Sequence, residues 1–268
     1  MVLDLKRCLA AARHLAENAG ALLRETSDLR ARQKGRNPHD FVTTAEEQAE
    51  RMIRRRLSHL FPAHAFHGEE SHEAGARIDP EVPTWLVDPI DGTTNFVRGV
   101  PYYCTSIGLW YQGKPQVGVV HEIPTCRIYS ARRDGEFAWV DSRQELKVSK
   151  VDTLAQAIVA TEWPADNQTR GPISRAMLEL GMQAVGLRVM SSSTLGVCHV
   201  AAGVFDAHFT VGVHPWDIAA AALFVEMAGG KITDEHGRPW TLESPVVVTT
   251  NGRIHDLVVE TLRKNLEP

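Results

Sequence analysis

The stretch Trp85-Leu86-Val87-Asp88-Pro89-Ile90-Asp91-Gly92-Thr93-Thr94-Asn95-Phe96 constrains this chain more than any other. An apolar run leads straight into two carboxylates. Pro89 biases Asp88 toward extended backbone, so Asp88 is expected to close a buried strand and point its carboxylate out of the strand's end. Asp91 then lies just past the turn. A short helix opening at Gly92 leaves the amides of Gly92, Thr93 and Thr94 without partners inside it. Such amides, with the helix dipole behind them, attract anions, and Gly92 lets a phosphate come close to the backbone. Two carboxylates alone would repel that phosphate. A hard divalent cation between them resolves the conflict, because Mg²⁺ takes oxygen ligands and commonly binds one or two carboxylates plus substrate phosphate. The Ile90 carbonyl, held in the same turn, is a natural further ligand.

The rest of the chain supplies helices and strands in alternation. From Leu3 to Leu23, apolar residues at Leu5, Cys8, Leu9, Ala12, Leu15, Ala16, Ala19 and Leu22 form one helical stripe. Arg32 to Asp40 has the composition of a loop. Thr44-Ala45-Glu46-Glu47 predicts a second helix opened by a capping box between Thr44 and Glu47. The charges that follow, Glu47, Glu50 and Arg51 to Arg56, read as its wet face. Short strands are expected at 65–67, 84–87, 105–110, 117–120, 127–131 and 137–140, joined as hairpins through turns such as Gln112-Gly113-Lys114-Pro115. Further strands are expected at 157–161, 187–190, 205–210, 231–233 and 246–249. Helices fall near 170–180, 195–202, 216–228 and 253–264. The class is α/β (α+β), with helix and sheet in stacked layers. Residues 1–268 read as one domain, with Ser149 to Leu154 as a plausible seam between lobes 1–149 and 150–268.

Composition excludes several functions. At 268 residues, with 43% apolar and 23% charged residues, the chain has the balance of a folded soluble body. A net charge of -4 with dispersed Lys and Arg gives little reason to expect a nucleic-acid footprint. No apolar run approaches the roughly 18 residues of a membrane span, and the N-terminus lacks a signal peptide's apolar core. The cytoplasm is the expected location. Cys8, Cys104, Cys126 and Cys198 show no metal-finger spacing and read as reduced, individually packed thiols. His67, His199 and His214 lack metalloprotease spacing and read as packing residues, as does Trp216.

Two more acidic clusters stand beside the central one: Gly68-Glu69-Glu70-Ser71, and Pro215-Trp216-Asp217 at the head of an alanine-rich helix that ends at Ala228-Gly229-Gly230. Spacing alone leaves open whether they converge. Read singly, Asp88 and Asp217 cap helices, Asp91-Gly92 forms a turn, and Glu69-Glu70 is solvated surface. Taken together and in order, the three motifs resemble those of the inositol monophosphatase family, and the similarity runs from Thr43-Thr44-Ala45-Glu46 to the C-terminal helix.

That resemblance implies a five-layered αβαβα sandwich, usually dimeric, that hydrolyses phosphate monoesters with Mg²⁺, two or three ions per site, for which Mn²⁺ can substitute. It implies lithium sensitivity. By the same resemblance Glu69, Asp88, Asp91, Asp217 and the Ile90 carbonyl hold catalytic metals, while Glu69 and Thr93 orient the attacking water. Asp91, Gly92, Thr93 and Asp217 border the substrate. Ser191, Ser192, Ser193 and Thr210 stand where the animal inositol enzymes contact the sugar ring; Thr210 replaces a carboxylate, so weaker selectivity for inositol phosphate is expected. Glu46 stands where the family usually has Asp and, with Glu70, is a candidate for a third metal. Lys34 is the counterpart of an active-site loop lysine. Fructose-1,6-bisphosphatase, histidinol-phosphate phosphatase and nucleotide 3′-phosphatase activities are alternatives within the superfamily. A regulatory binding protein that keeps the fold is the alternative from another class.

Overall fold

Two outer helices show how the layers arise. On α1 (Leu5–Glu25) the buried residues Leu5, Cys8, Ala12, Leu15, Ala16, Ala19 and Leu23 recur at helical spacing, and α2 (Thr44–Leu60) buries Ala45, Ala49, Ile53 and Leu57 in the same way. Each presents one apolar stripe, and both stripes close on one face of a sheet. The structure, a computed structural model, describes residues 3–26, 31–33, 41–72, 77–164 and 167–266.

The strands in chain order are β1 (Ala31–Gln33), β2 (Phe41–Thr43), β3 (Ala65–Gly68), β4 (Thr84–Asp91), β5 (Cys104–Tyr111), β6 (Lys114–Glu122), β7 (Arg127–Arg132), β8 (Trp139–Val140), β9 (Gln144–Glu145), β10 (Ile158–Thr161), β11 (Gly186–Val189), β12 (Ala207–Val211), β13 (Lys231–Thr233) and β14 (Val246–Thr250). The remaining helices are α3 (Thr93–Arg98), α4 (Asn167–Gln183), α5 (Ser193–Ala201), α6 (Pro215–Met227) and α7 (His255–Leu266). Strands β3 to β9 form a seven-stranded sheet in sequential order; β11-β10-β12-β14-β13 form a second sheet, and β1 pairs with β2.

Alternation along the strands of the first sheet divides its side chains between two cores. Trp85, Val87, Ile107, Leu109, Val117 and Val119 pack with α1 and α2, whereas Leu86, Trp110 and Val120 pack with α5 and α6. On the far side of the second sheet, Val159, Phe209 and Val248 meet Ile173 and Leu180 of α4 and Val258 and Leu262 of α7. The order is therefore α1/α2, sheet, α5/α6, sheet, α4/α7, the five layers expected. Helix α6 lies in the middle layer and is apolar nearly all round, from Ile218 to Val225. It sits close because Gly108 and Gly118 face each other across β5 and β6; a Cβ on Gly118 would fall 2.3 Å from the Ala220 carbonyl oxygen. That seat fixes the height of Asp217 above the sheet.

Several sequence expectations are corrected. The capping box of α2 is Thr43 with Glu46, one residue earlier than Thr44 with Glu47. The segment read as a loop from Arg32 begins inside β1. Strand β3 runs parallel to β4, so not all neighbours in the first sheet are hairpins. Asp88 lies within β4, which continues to Asp91 through a register shift. Glu50 belongs to no wet face: it is buried, and its Oε2 accepts the Glu70 amide at 2.7 Å. Cys126 is exposed, unlike the buried Cys8, Cys104 and Cys198.

Candidate active site

The carboxylates named from sequence converge where β3 and β4 end and α6 begins. Glu69, Asp88, Ile90, Asp91, Gly92, Thr93, Ser191, Ser193, Thr210 and Asp217 all line one cleft of about 460 Å³. Glu69 follows β3, whose parallel pairing continues as the Glu69 amide donates to the Val87 carbonyl at 3.1 Å. Glu70 is not part of the lining; its amide donates to Glu50 Oε2. Lys34 lies outside the described residues.

Two of the acids are held by different devices. Asp91 Oδ2 accepts the Ser192 hydroxyl at 2.6 Å and the Thr194 amide at 2.7 Å. Thr194 also donates its hydroxyl to the Asp217 carbonyl at 2.6 Å, so the first turn of α5 ties two of the acids together. Asp217 is at the third position of α6, after Pro215 at its first turn, and its Oδ2 accepts the His214 amide at 2.8 Å. Ser192, expected to meet substrate, instead caps α5 and braces Asp91; Ser191 and Ser193 remain on the cleft wall.

The turn after Asp91 depends on Gly92, whose φ of 98° is left-handed and whose missing side chain leaves room beside the Tyr102 and Ser191 carbonyls. Asn95, one turn later, is buried and donates to the Tyr102 and Met190 carbonyls at 2.8 Å each, pinning α3 to the loop before α5. Thr93 donates to Glu46 Oε1 at 2.6 Å and faces the Ile90 carbonyl at 3.3 Å. The other oxygen of Glu46 accepts the Thr43 amide, so this fully buried carboxylate caps α2 and orients Thr93 at once.

Electrostatics show what the arrangement lacks. Burial, then repulsion from Glu69, Asp91 and Asp217, raises Asp88 well above the usual carboxylate range; burial, then Asp91 and Glu69, does the same to Asp217. Burial and the Glu162 carboxylate push Asp91 up to about 7. Glu46 is also pushed up to about 7, by burial opposed by its bonds to Thr93 and Thr43. Asp88 Oδ1 is buried and has no hydrogen-bond partner. Crowded oxygen donors with an orphaned lone pair fit a hard cation. Among the described residues no three acidic, His or Cys side chains are closed around one ion position. Arg170, also on the cleft wall, is engaged by the Pro164 carbonyl and the Trp163 ring.

Sequence reasoning missed Thr194, Asn95, Glu50 and Glu162. None has a motif of its own except Asn95, which stands inside the central motif as a polar residue flanked by apolar ones.

The layered fold and this acidic cleft define a hydrolase of phosphate monoesters. A model of the inositol monophosphatase family matches residues 4–267. Inositol monophosphatase 1 of Bos taurus is 34% identical over 92% of this chain and 91% of its own. The extragenic suppressor protein suhB of Bartonella henselae superposes with a TM-score of 0.87 at 29% identity, covering 96% of this chain and 99% of that one. A staphylococcal inositol monophosphatase-1, solved as an inhibitory complex after a lithium chloride soak, superposes with a TM-score of 0.83 at 26% identity, covering 99% and 97%. The chain belongs to the inositol monophosphatase family and is a phosphatase.

Proposed function

We propose that the chain hydrolyses the monophosphate of inositol or a related sugar or polyol with Mg²⁺ as cofactor, Mn²⁺ substituting, held by Glu69, Asp88, the Ile90 carbonyl, Asp91 and Asp217. The observation that carries this is the buried, mutually repelling set Asp88, Asp91 and Asp217 with its orphaned Asp88 oxygen. When bound, the cations supply the positive charge that this set lacks and make water a stronger acid.

The chain's own residues then have distinct roles. Gly92, Thr93 and Thr94 line the floor on which the phosphate rests. Thr93, its hydroxyl hydrogen committed to Glu46, offers its oxygen as an acceptor to the attacking water, and Glu69 takes the water's other side. Glu46, at the end of that hydrogen-bond chain and pushed up to about 7, is able to hold a proton at the pH of the cell. Ser192 and Thr194 keep Asp91 from swinging toward the substrate. Glu46 occupies the expected third-metal position but is committed to Thr43 and Thr93, which supports two ions in preference to three.

Fructose-1,6-bisphosphatase, histidinol-phosphate phosphatase and nucleotide 3′-phosphatase activities share this chemistry. Phosphate release from a panel of such monoesters with Mg²⁺ separates them, and no release from any would sink the reading. The exposed Leu178, Met182, Val185 and Val189, on and beside α4 and the edge strand β11, support a homodimer. Light scattering on the purified chain tests that, a monomer at micromolar concentration being the contrary result. No described helix is long and apolar enough to cross a membrane.

A further inference from the structure

We infer that Glu162 is a specificity-determining residue of this site, accepting a hydrogen bond from a free hydroxyl of the substrate's alcohol part. The inference rests on the phosphatase reading and goes past it, to the group that selects the alcohol.

Strands β10 and β12 are parallel, with Ala160 beside His208 and Thr161 beside Phe209. Glu162 follows Thr161 directly, just past the end of β10, and lines the cleft together with Thr210 of β12. Thr210 brings only a neutral hydroxyl to that wall of the cleft. The adjacent strand therefore delivers a carboxylate to the place where position 210 has none.

Its two oxygens are used differently. Oε2 accepts the Ser193 hydroxyl at 2.9 Å, and Glu162 and Ser193 both line the cleft. Oε1 is buried and faces His208 Nε2 at 3.4 Å. His208 is almost wholly buried, and neither of its ring nitrogens has a hydrogen-bond partner. The Ser193 hydroxyl thus fixes the carboxylate from one side, as a positioning residue, with the His208 ring standing behind it. An ionised carboxylate has about four lone-pair sites, so Oε2 keeps capacity toward the cleft. Beside it Trp163 is half exposed at the rim, an aromatic face suited to the carbon side of a polyol ring. Glu162 is not among the metal ligands, yet it lines the same cleft as Asp88, Asp91 and Asp217.

The test compares kcat/KM for inositol 1-phosphate with that for phenyl phosphate, which has no free hydroxyl. Glu162→Gln is expected to lower the ratio of the two by about 10- to 100-fold, the worth of a hydrogen bond to a charged group, chiefly through KM for the polyol. Adding Thr210→Glu to that variant moves the carboxylate to the neighbouring strand and should recover a large part of the ratio. A ratio changed less than about threefold, or both substrates falling together, overturns the inference. A wild-type chain that hydrolyses neither substrate overturns the phosphatase reading and this one with it. An active wild type with an unmoved ratio overturns this one alone.

Discussion

Replacing Asp88 by Asn should make the chelated protein more stable while removing its activity. Asp88 is buried beside Glu69, Asp91 and Asp217, and each of the three raises its pKa. The scale comes from its neighbour: Asp91 is raised from 3.8 to about 7, roughly three units, so keeping it charged without a cation costs about 4 kcal/mol above pH 7. On that scale, neutralising Asp88 ends the burial of its own charge and its repulsion with Glu69, Asp91 and Asp217, about 2 kcal/mol. In differential scanning calorimetry with chelator at pH 8, Asp88→Asn should raise Tm by about 4–8 °C. Excess Mg²⁺ should reverse the order. At about a hundred times Kd the ion adds about 2.7 kcal/mol to the wild type, and less to a variant that has lost a shared ligand. Phosphate release should fall by about a thousandfold, some 4 kcal/mol of barrier. A variant less stable than wild type in chelator, or stabilised as much by Mg²⁺, would refute the reasoning.

Three further outcomes follow from particular contacts. Buried His255 bonds Thr233 and Thr250, and burial holds it down to about 4. A histidine depressed on folding contributes stability that is fully present above about 6.5 and is lost as pH falls toward 4, so the wild type's advantage over His255→Gln should shrink by about 3 kcal/mol across that window. Denaturant titrations at pH 7 and pH 4.5 check this, and a constant difference tells against it. Gly118→Ala places a methyl group 2.3 Å from the Ala220 carbonyl oxygen, lifting α6. It should cost about 1–3 kcal/mol and weaken Mg²⁺ binding by displacing Asp217; unchanged Tm and affinity would remove the seating role of Gly118. Thr93→Val should lower kcat by about 100-fold with little change in KM, since the hydrogen bond to Glu46 and the acceptor for water are both lost. A change confined to KM would assign Thr93 to binding alone.

The parts of the fold that sequence revealed are those where local pattern and final environment agree. The stripe of α1, the buried core of β4, Pro215 opening α6 and Gly229 closing it are each dictated by neighbours a few residues away. The failures came where distant chain decides. Thr43 with Glu46 and Thr44 with Glu47 both satisfy a capping box, and Thr93, far along the chain, settles the choice by engaging Glu46. Glu50 resembles its charged neighbours until the Glu70 amide is brought against it. Glu162, just past β10, and Thr210 of β12 line one cleft because their strands pair in parallel, a relation that spacing along one chain does not carry. The acids of the central motif could be named, whereas the α5 turn that binds Asp91 to Asp217 through Thr194 could not.

The most direct test of a cation-dependent phosphatase centre is phosphate release from inositol 1-phosphate by exhaustively chelated protein, followed as MgCl₂ is added back. No turnover is expected without the ion, with a saturable return as it is added, requiring more Mg²⁺ at pH 6 than at pH 8 because protons compete for Asp91. Full release before any Mg²⁺ is added would contradict the account.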